Sequence, residues 1–226
     1  MVKPGTILAA ALVAAACLGG APRSSCAEGF NARPVLIETR GGVSSITITN
    51  PGDRRIYLEN AVYEWKADSV GQEILTESAA AIVSPPAMWV QPGATYNLRV
   101  QLPPATDREL AFRVIIQQIP DRSEIQAGRV VLALTQRLPA FSEPADLPPP
   151  AVLHARIVDP LHLLITNEGG RRARLADITA EGRNVAPGLV GYALAHSSLA
   201  VTLKSPVRPG KIEVDTEQGR RVVDLR

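Results

Sequence analysis

Apolar side chains recur at every second position along much of this chain, in short runs broken by proline and glycine. Ser45-Ile46-Thr47-Ile48-Thr49 and Tyr96-Asn97-Leu98-Arg99-Val100 alternate in the manner of strands with one buried face. Further strands are predicted over Leu36–Glu38, Tyr57–Trp65, Phe112–Ile116 and Arg129–Leu138, which are rich in β-branched or aromatic residues. Asn50-Pro51-Gly52-Asp53 and Gln91-Pro92-Gly93-Ala94 read as turns, since Pro presets φ and Gly accepts positive φ. A turn about every ten residues suggests a β-sandwich. No window carries an apolar stripe of helical period over three turns; Ala79–Val83 is apolar but runs into Pro85-Pro86.

Leu147-Pro148-Pro149-Pro150 interrupts the series, and consecutive prolines favour a stiff, extended linker. Beyond it short strands resume at Leu153–Val158, Leu161–Thr166, Arg174–Thr179, Leu199–Leu203, Lys211–Asp215 and Arg221–Leu225. Turns are expected at Asn167-Glu168-Gly169-Gly170, Pro187-Gly188, Pro209-Gly210 and Gln218-Gly219. The chain therefore reads as all-β, with one domain over 28–145, a linker over 146–150 and a smaller β-sandwich over 151–226. The length of 226 residues suits two domains, and no sequence repeat relates them by eye.

The first 27 residues form a separate segment. Lys3 precedes Ile7–Gly20, an apolar run too short to span a bilayer comfortably, and Ser25-Cys26-Ala27 offers small residues at a cleavage site. We read a secretory signal cleaved after Ala27, with no stable membrane insertion afterwards. Ala14-Ala15-Ala16-Cys17 only loosely resembles a lipoprotein acceptor. Removing the leader changes the charge: 24 basic residues less Lys3 and Arg23 leaves 22, against 22 acidic. Neutrality gives no electrostatic case for nucleic acid. Cys17 and Cys26 leave too, so the mature chain has no disulfide and no cysteine nucleophile.

Catalytic and metal motifs are absent. His154, His162 and His196 have no metal-ligand spacing, no glycine-rich phosphate loop occurs, and no catalytic residue, cofactor or metal is expected. Arg171-Arg172-Arg174 reads as solvated strand residues.

Several phrases stand in an informative order. Arg33-Pro34-Val35-Leu36 comes first, then Ile48-Thr49-Asn50-Pro51-Gly52 and Trp65. Ser84-Pro85-Pro86-Ala87-Met88-Trp89-Val90-Gln91-Pro92-Gly93 follows, then Asp107-Arg108-Glu109-Leu110-Ala111-Phe112, Ile119-Pro120 and Leu138-Pro139-Ala140-Phe141. Over about residues 30–144 this resembles the periplasmic pilus-assembly chaperones of the chaperone–usher pathway, the PapD-like family. The second domain matches more loosely, through Leu164–Gly169 and Gly188–Tyr192. The resemblance implies two immunoglobulin-like sandwiches in a boomerang, a periplasmic location and no enzyme activity. It implies pilus or fimbrial subunits as partners, bound by donor-strand complementation, and an outer-membrane usher that receives them. It also implies self-association of the free protein through its exposed donor strand.

On that reading Val130, Leu132 and Leu134 are the side chains inserted into the subunit's open groove. They share one strand face at a spacing of about 6.6 Å. An ordinary core strand has the same pattern, and periodicity does not separate the two. Family members hold the subunit's terminal carboxylate with two basic residues, and the resemblance places Arg33 in one of these roles. The second is a Lys whose column falls on Pro139 here, so Arg137, two residues earlier on the same face, is the nearest base. Ser142-Glu143-Pro144 replaces the family's Tyr-Arg-Pro and reverses a charge in its inter-domain network. The short connection between Pro120 and Arg129 resembles short-loop or archaic members. A different class of reading, a secreted adhesive or carbohydrate-binding β-sandwich, would use Trp65, Trp89, Tyr57, Tyr63, Tyr96 and Tyr192 as platforms, although core packing accounts for most of them. A secreted hydrolase has no motif support.

Overall fold

The computed structural model describes residues 29–121 and 132–226, and every regular element among them is a strand. The signal segment therefore lies outside the described residues. Ten strands make the first domain: β1 (Asn31–Arg33), β2 (Ile37–Thr39), β3 (Gly42–Thr49), β4 (Ile56–Ala67), β5 (Glu73–Glu77), β6 (Ile82–Ser84), β7 (Ala87–Val90), β8 (Thr95–Leu102), β9 (Leu110–Ile119) and β10 (Thr135–Ser142). They form two sheets, in the orders β1-β3-β8-β6 and β2-β10-β9-β4-β5, with β7 also paired to β4. The first extended segment serves both sheets: β1 pairs with β3, and after Pro34 the chain crosses over so that β2 pairs in parallel with the end of β10.

Alternation in the sequence becomes the sandwich core. Ile46 and Ile48 of β3 and Leu98, Val100 and Leu102 of β8 point inward from one sheet; Leu58, Phe112, Val114 and Ile116 face them from the other. Burying each such side chain is worth about 1.5–3 kcal/mol.

The second domain holds β11 (Leu153–Asp159), β12 (His162–Asn167), β13 (Ala173–Ala180), β14 (Arg183–Ala193), β15 (Ser197–Thr202), β16 (Gly210–Thr216) and β17 (Gly219–Leu225). They form one sheet in the order β14-β13-β16-β17-β11-β12-β15 around its own core. The sheet curls until its two end strands meet, where a Cβ on Gly191 of β14 would lie 3.1 Å from Leu199 of β15. Pro187-Gly188, expected as a turn, lies inside β14 instead. The pairing of β13 with β14 shifts register there three times, and Gly188 takes φ +76°. The Pro-Gly pair is absorbed as bulges in a long bent strand.

One corner recurs in both domains despite the lack of a visible repeat. Asn50 accepts from Gly52 N at 2.9 Å and donates to the carbonyls of Arg54 and Val90 at 2.6 and 3.1 Å. Asn167 accepts from Gly169 N at 2.9 Å and donates to those of Arg171 and Ala193 at 2.7 and 3.0 Å. Both side chains are fully buried, and both bond at i+2 and i+4 and then to a distant strand. A short amide can satisfy a tight turn and a neighbouring strand end together.

Candidate functional site

β10 is an incompletely paired strand. Along one side it is zipped to β9 from Thr135↔Gln117 to Ser142↔Leu110. Along the other, β2 covers only Ala140, Phe141 and Ser142, so among the described residues Thr135 to Pro139 has no strand neighbour on that side. Pro139 suits such a position, because an edge strand tolerates a missing N–H. The strand expected over Arg129–Leu138 is regular only from Thr135 among the described residues, because pairing to β9 ends there. Just before it, the Leu134 carbonyl still accepts from Gln118 N at 2.9 Å. Leu132 and Leu134 are 71% and 39% exposed, while Leu138 and Ala140, further along the same alternating row, are buried in the core. Val130 lies outside the described residues. An apolar row thus leaves the core and emerges into solvent beside an open backbone edge.

The anchor candidates separate. Arg33 ends β1 in the other sheet, opposite Thr47, where it is exposed. Arg137 sits on β10 opposite Ile115, and Arg113 of β9 is opposite the next-but-one residue, Pro139. The Glu73 carboxylate bridges the two arginines. Its Oε2 accepts from Arg113 Nε and Nη2 at 3.1 and 3.0 Å, and its Oε1 accepts from Arg137 Nη2. Arg113 also lies over the Trp65 ring, 3.5 Å from its centroid. Burial pushes the Arg113 guanidinium below its ordinary value, with Glu73 pulling the other way. Arg33 and Arg137 share no partner among the described residues.

Trp65 opens the joint between the domains. Its ring packs against Phe141 and Tyr192, both with centroids 5.9 Å away, and Leu194 completes the cluster. Arg172 of the second domain stacks 3.9 Å over Phe141 and pairs with Glu109 and Glu38, with Glu143 at 3.7 Å. Its backbone N–H also donates to Glu109 at 3.2 Å. Burial raises the Glu109 carboxyl above the usual range, although Arg172 opposes it. Arg172 is thus not the solvated residue expected of its basic run: its side chain is 11% exposed. A second seam runs through the β4–β5 turn, where Ala200 N donates to the Gly71 carbonyl at 3.0 Å. A Cβ on Gly71 would lie 2.5 Å from that nitrogen.

Two of the three histidines pair locally on the surface. His154 lies 3.2 Å from Glu168 and His162 lies 2.8 Å from Asp159. Among the described residues no group of three or more His, Cys, Asp or Glu is placed to hold a metal, and no helix is long and apolar enough to cross a membrane.

Residues 31–148 match the family model of the pili and flagellar-assembly chaperone, PapD N-terminal domain. The chain belongs to this family. Its members are non-enzymatic chaperones, and the fold is shared with solved chaperone structures. The CsuC chaperone, seen with the CsuE tip subunit of the archaic Csu pili of Acinetobacter baumannii, matches with a TM-score of 0.68 at 18% identity, over 87% of this chain and 98% of that one. The SafB chaperone of Salmonella enterica, seen with the SafA pilin, gives 0.63 at 18% identity over 88% and 97%. The CupB2 chaperone of Pseudomonas aeruginosa gives 0.56 at 16% identity over 87% and 100%. No curated protein matches the sequence. The two immunoglobulin-like sandwiches expected from the resemblance are the architecture observed.

In this pilus-chaperone fold, Glu143 does not leave the joint without a cation, since Arg172 supplies the charge from the opposite domain. Sequence reasoning missed Arg172, Glu109, Glu73 and Arg113 as members of a site. A signal for Arg113 was present: it is the charged residue among Ala111, Arg113 and Ile115, the face opposite the buried Phe112, Val114 and Ile116.

Proposed function

We propose that this chain is a periplasmic chaperone that caps pilus or fimbrial subunits by lending them the segment leading into β10, and passes them to an outer-membrane usher. The observation that carries this reading is the free edge of Thr135 to Pro139 beside the exposed Leu132 and Leu134. A backbone edge pairs with a strand of any sequence, and side chains at alternate positions fill pockets in it. Val130, Leu132 and Leu134 insert into the groove. Arg137, with Arg113 adjoining it, holds the subunit's terminal carboxylate, and Arg33, which ends β1 in the other sheet, is the second base proposed for that role. An unpaired edge also invites self-association of the free protein, which sedimentation at increasing concentration measures. The domain limits that go with this function are 28–145 and 151–226.

Affinity capture of the tagged chain from its native periplasm, read by mass spectrometry, tests the proposal. A small β-rich partner in equimolar amount is expected. The Leu132→Asp/Leu134→Asp variant removes two leucines from the groove, each worth about 1.5–3 kcal/mol, so capture falls by about 10²- to 10⁴-fold. Both side chains are exposed in the free protein, so its melting temperature stays the same. Undiminished capture refutes the assignment. One surface feature favours a carbohydrate-binding alternative: Tyr57 and Trp89 pack 5.0 Å apart with Arg55 over the indole, and Trp89 is 40% exposed. Glycan binding by the purified chain, lost in Trp89→Ala, is its test.

A further inference from the structure

Arg113 and Arg137 converge on a single carboxylate from neighbouring strands, and that carboxylate comes from the far margin of the same sheet. The order β10-β9-β4-β5 puts Glu73 on the opposite edge strand, yet its two oxygens are divided between the two arginines. Arg113 needs such a partner. Its side chain is only 16% exposed, it lies against Trp65, and Arg137 adds a second positive charge beside it. Arg137 is half exposed, but the largely buried Arg113 guanidinium beside it is disfavoured by that second positive charge unless an anion lies between them. The element that brings the anion is an edge: among the described residues β5 pairs with β4 alone, and its Ile74 is 43% exposed although Leu75 packs on the Trp65 cluster. The Glu73 side chain itself is 28% exposed, so solvent reaches the carboxylate and a competitor can approach it.

We propose that Glu73 is an internal stand-in for a chain-terminal carboxylate: it holds the Arg113–Arg137 fork in shape in the free protein and yields it to the C-terminal carboxylate of a bound strand. This rests on the reading that the β10 arginine holds a subunit's chain end. The exchange conserves charge, since one carboxylate arrives as another returns to water. It confers selectivity as well. A strand that passes the fork without ending there carries no carboxylate to displace Glu73, so the fork stays closed to it. The cost of displacing Glu73 also lowers the affinity for a correct chain end, which favours later release.

The test compares the purified protein with Glu73→Gln, using a short peptide of alternating valine and threonine as probe, prepared as the free acid and as the C-terminal amide. Calorimetric titration is expected to show the free acid binding the variant roughly fivefold or more tightly than the unaltered protein, the amide binding both alike. Glu73→Ala, with the same expected gain, guards against a misfolded first variant. If the free acid is preferred to the amide but neither substitution tightens it, Glu73 is no competitor, and the proposal fails while the carboxylate-anchor reading stands. If free acid and amide bind both proteins equally, the arginines hold no chain end, and both fail. Failure of the free acid to bind Glu73→Gln at all overturns the proposal too, because the vacated fork would then accept no carboxylate.

Discussion

Replacing Arg172 with methionine isolates the charge at the domain joint, because the methionine side chain still packs over Phe141. Arg172 is 11% exposed and Glu109 is 2% exposed at their side chains, so the pair is largely out of water. Removing one partner of a buried ion pair costs about 3–5 kcal/mol, because the remaining charge is left uncompensated. For a chain of this length each kcal/mol moves the melting temperature by about 2–4 °C, so a fall of about 6–20 °C is expected near neutral pH. The loss depends on pH with a definite sign. Burial already raises the Glu109 carboxyl, and Arg172 is the largest influence lowering it. In Arg172→Met that carboxyl rises further. A carboxyl raised in the folded state contributes stability below its unfolded value and loses it as pH climbs through the folded one. The deficit of the variant is therefore greatest near neutrality and shrinks as the solution is acidified toward the unfolded glutamate value. Scanning calorimetry across this range measures it. Adding Glu109→Gln to Arg172→Met should recover much of the loss near neutrality, since a neutral amide is cheaper to bury than an unpaired carboxylate. A deficit that is the same at every pH, or that the second substitution leaves untouched, would refute the reasoning.

Three further outcomes are expected. Asn167→Ala should cost roughly 2–4 kcal/mol in urea unfolding, because the carbonyls of Arg171 and Ala193 lose a buried donor. Asn50→Ala should cost less, since Asn167 additionally accepts from Val152 N at 3.1 Å, and the reverse order would contradict the bond-by-bond account. Gly71→Ala should destabilise the protein by roughly 1–3 kcal/mol, because its φ of +80° disfavours a side chain and the new Cβ meets Ala200; an unchanged melting temperature would remove Gly71 from the joint.

The parts of the fold that were legible in the sequence are those where one face is dry and the other wet. β3 and β8 alternate because they line a core, and the Pro-Gly turns that flank them need particular backbone angles. β5 has no such contrast, being an exposed edge strand, and β14 conceals its regularity behind bulges. The candidate site was legible only in part. Alternation put Leu132 and Leu134 on one face but could not separate them from a core strand; the resemblance marked them, and their exposure shows only in the fold. The resemblance marked Arg137, whose partner here is the chain's own Glu73, and Arg33, which has no ion-pair partner among the described residues. No spacing rule reaches Glu73 and Arg113, 40 residues apart, or Glu109 and Arg172, 63 apart, because only the folded topology brings them together.

The paired asparagine corners bear on the order in which this chain gains its structure. Each closes loops of only two and four residues, whereas the Glu38–Arg172 contact spans 134. In an unfolded chain the longer closure costs about 3 kcal/mol more in entropy than a four-residue one. The corners can therefore close within each domain's own sequence, whereas the Glu38–Arg172 contact closes at least entropic cost once both domains have formed. By the same reasoning the link through Arg172 is expected to open on unfolding while both cores are intact. A state with two native domains swinging about 146–150 would then precede the loss of either core on heating, and in it Thr135 to Pro139 keeps its open edge. Orientation of the domains, rather than possession of the lending segment, is what such a state gives up.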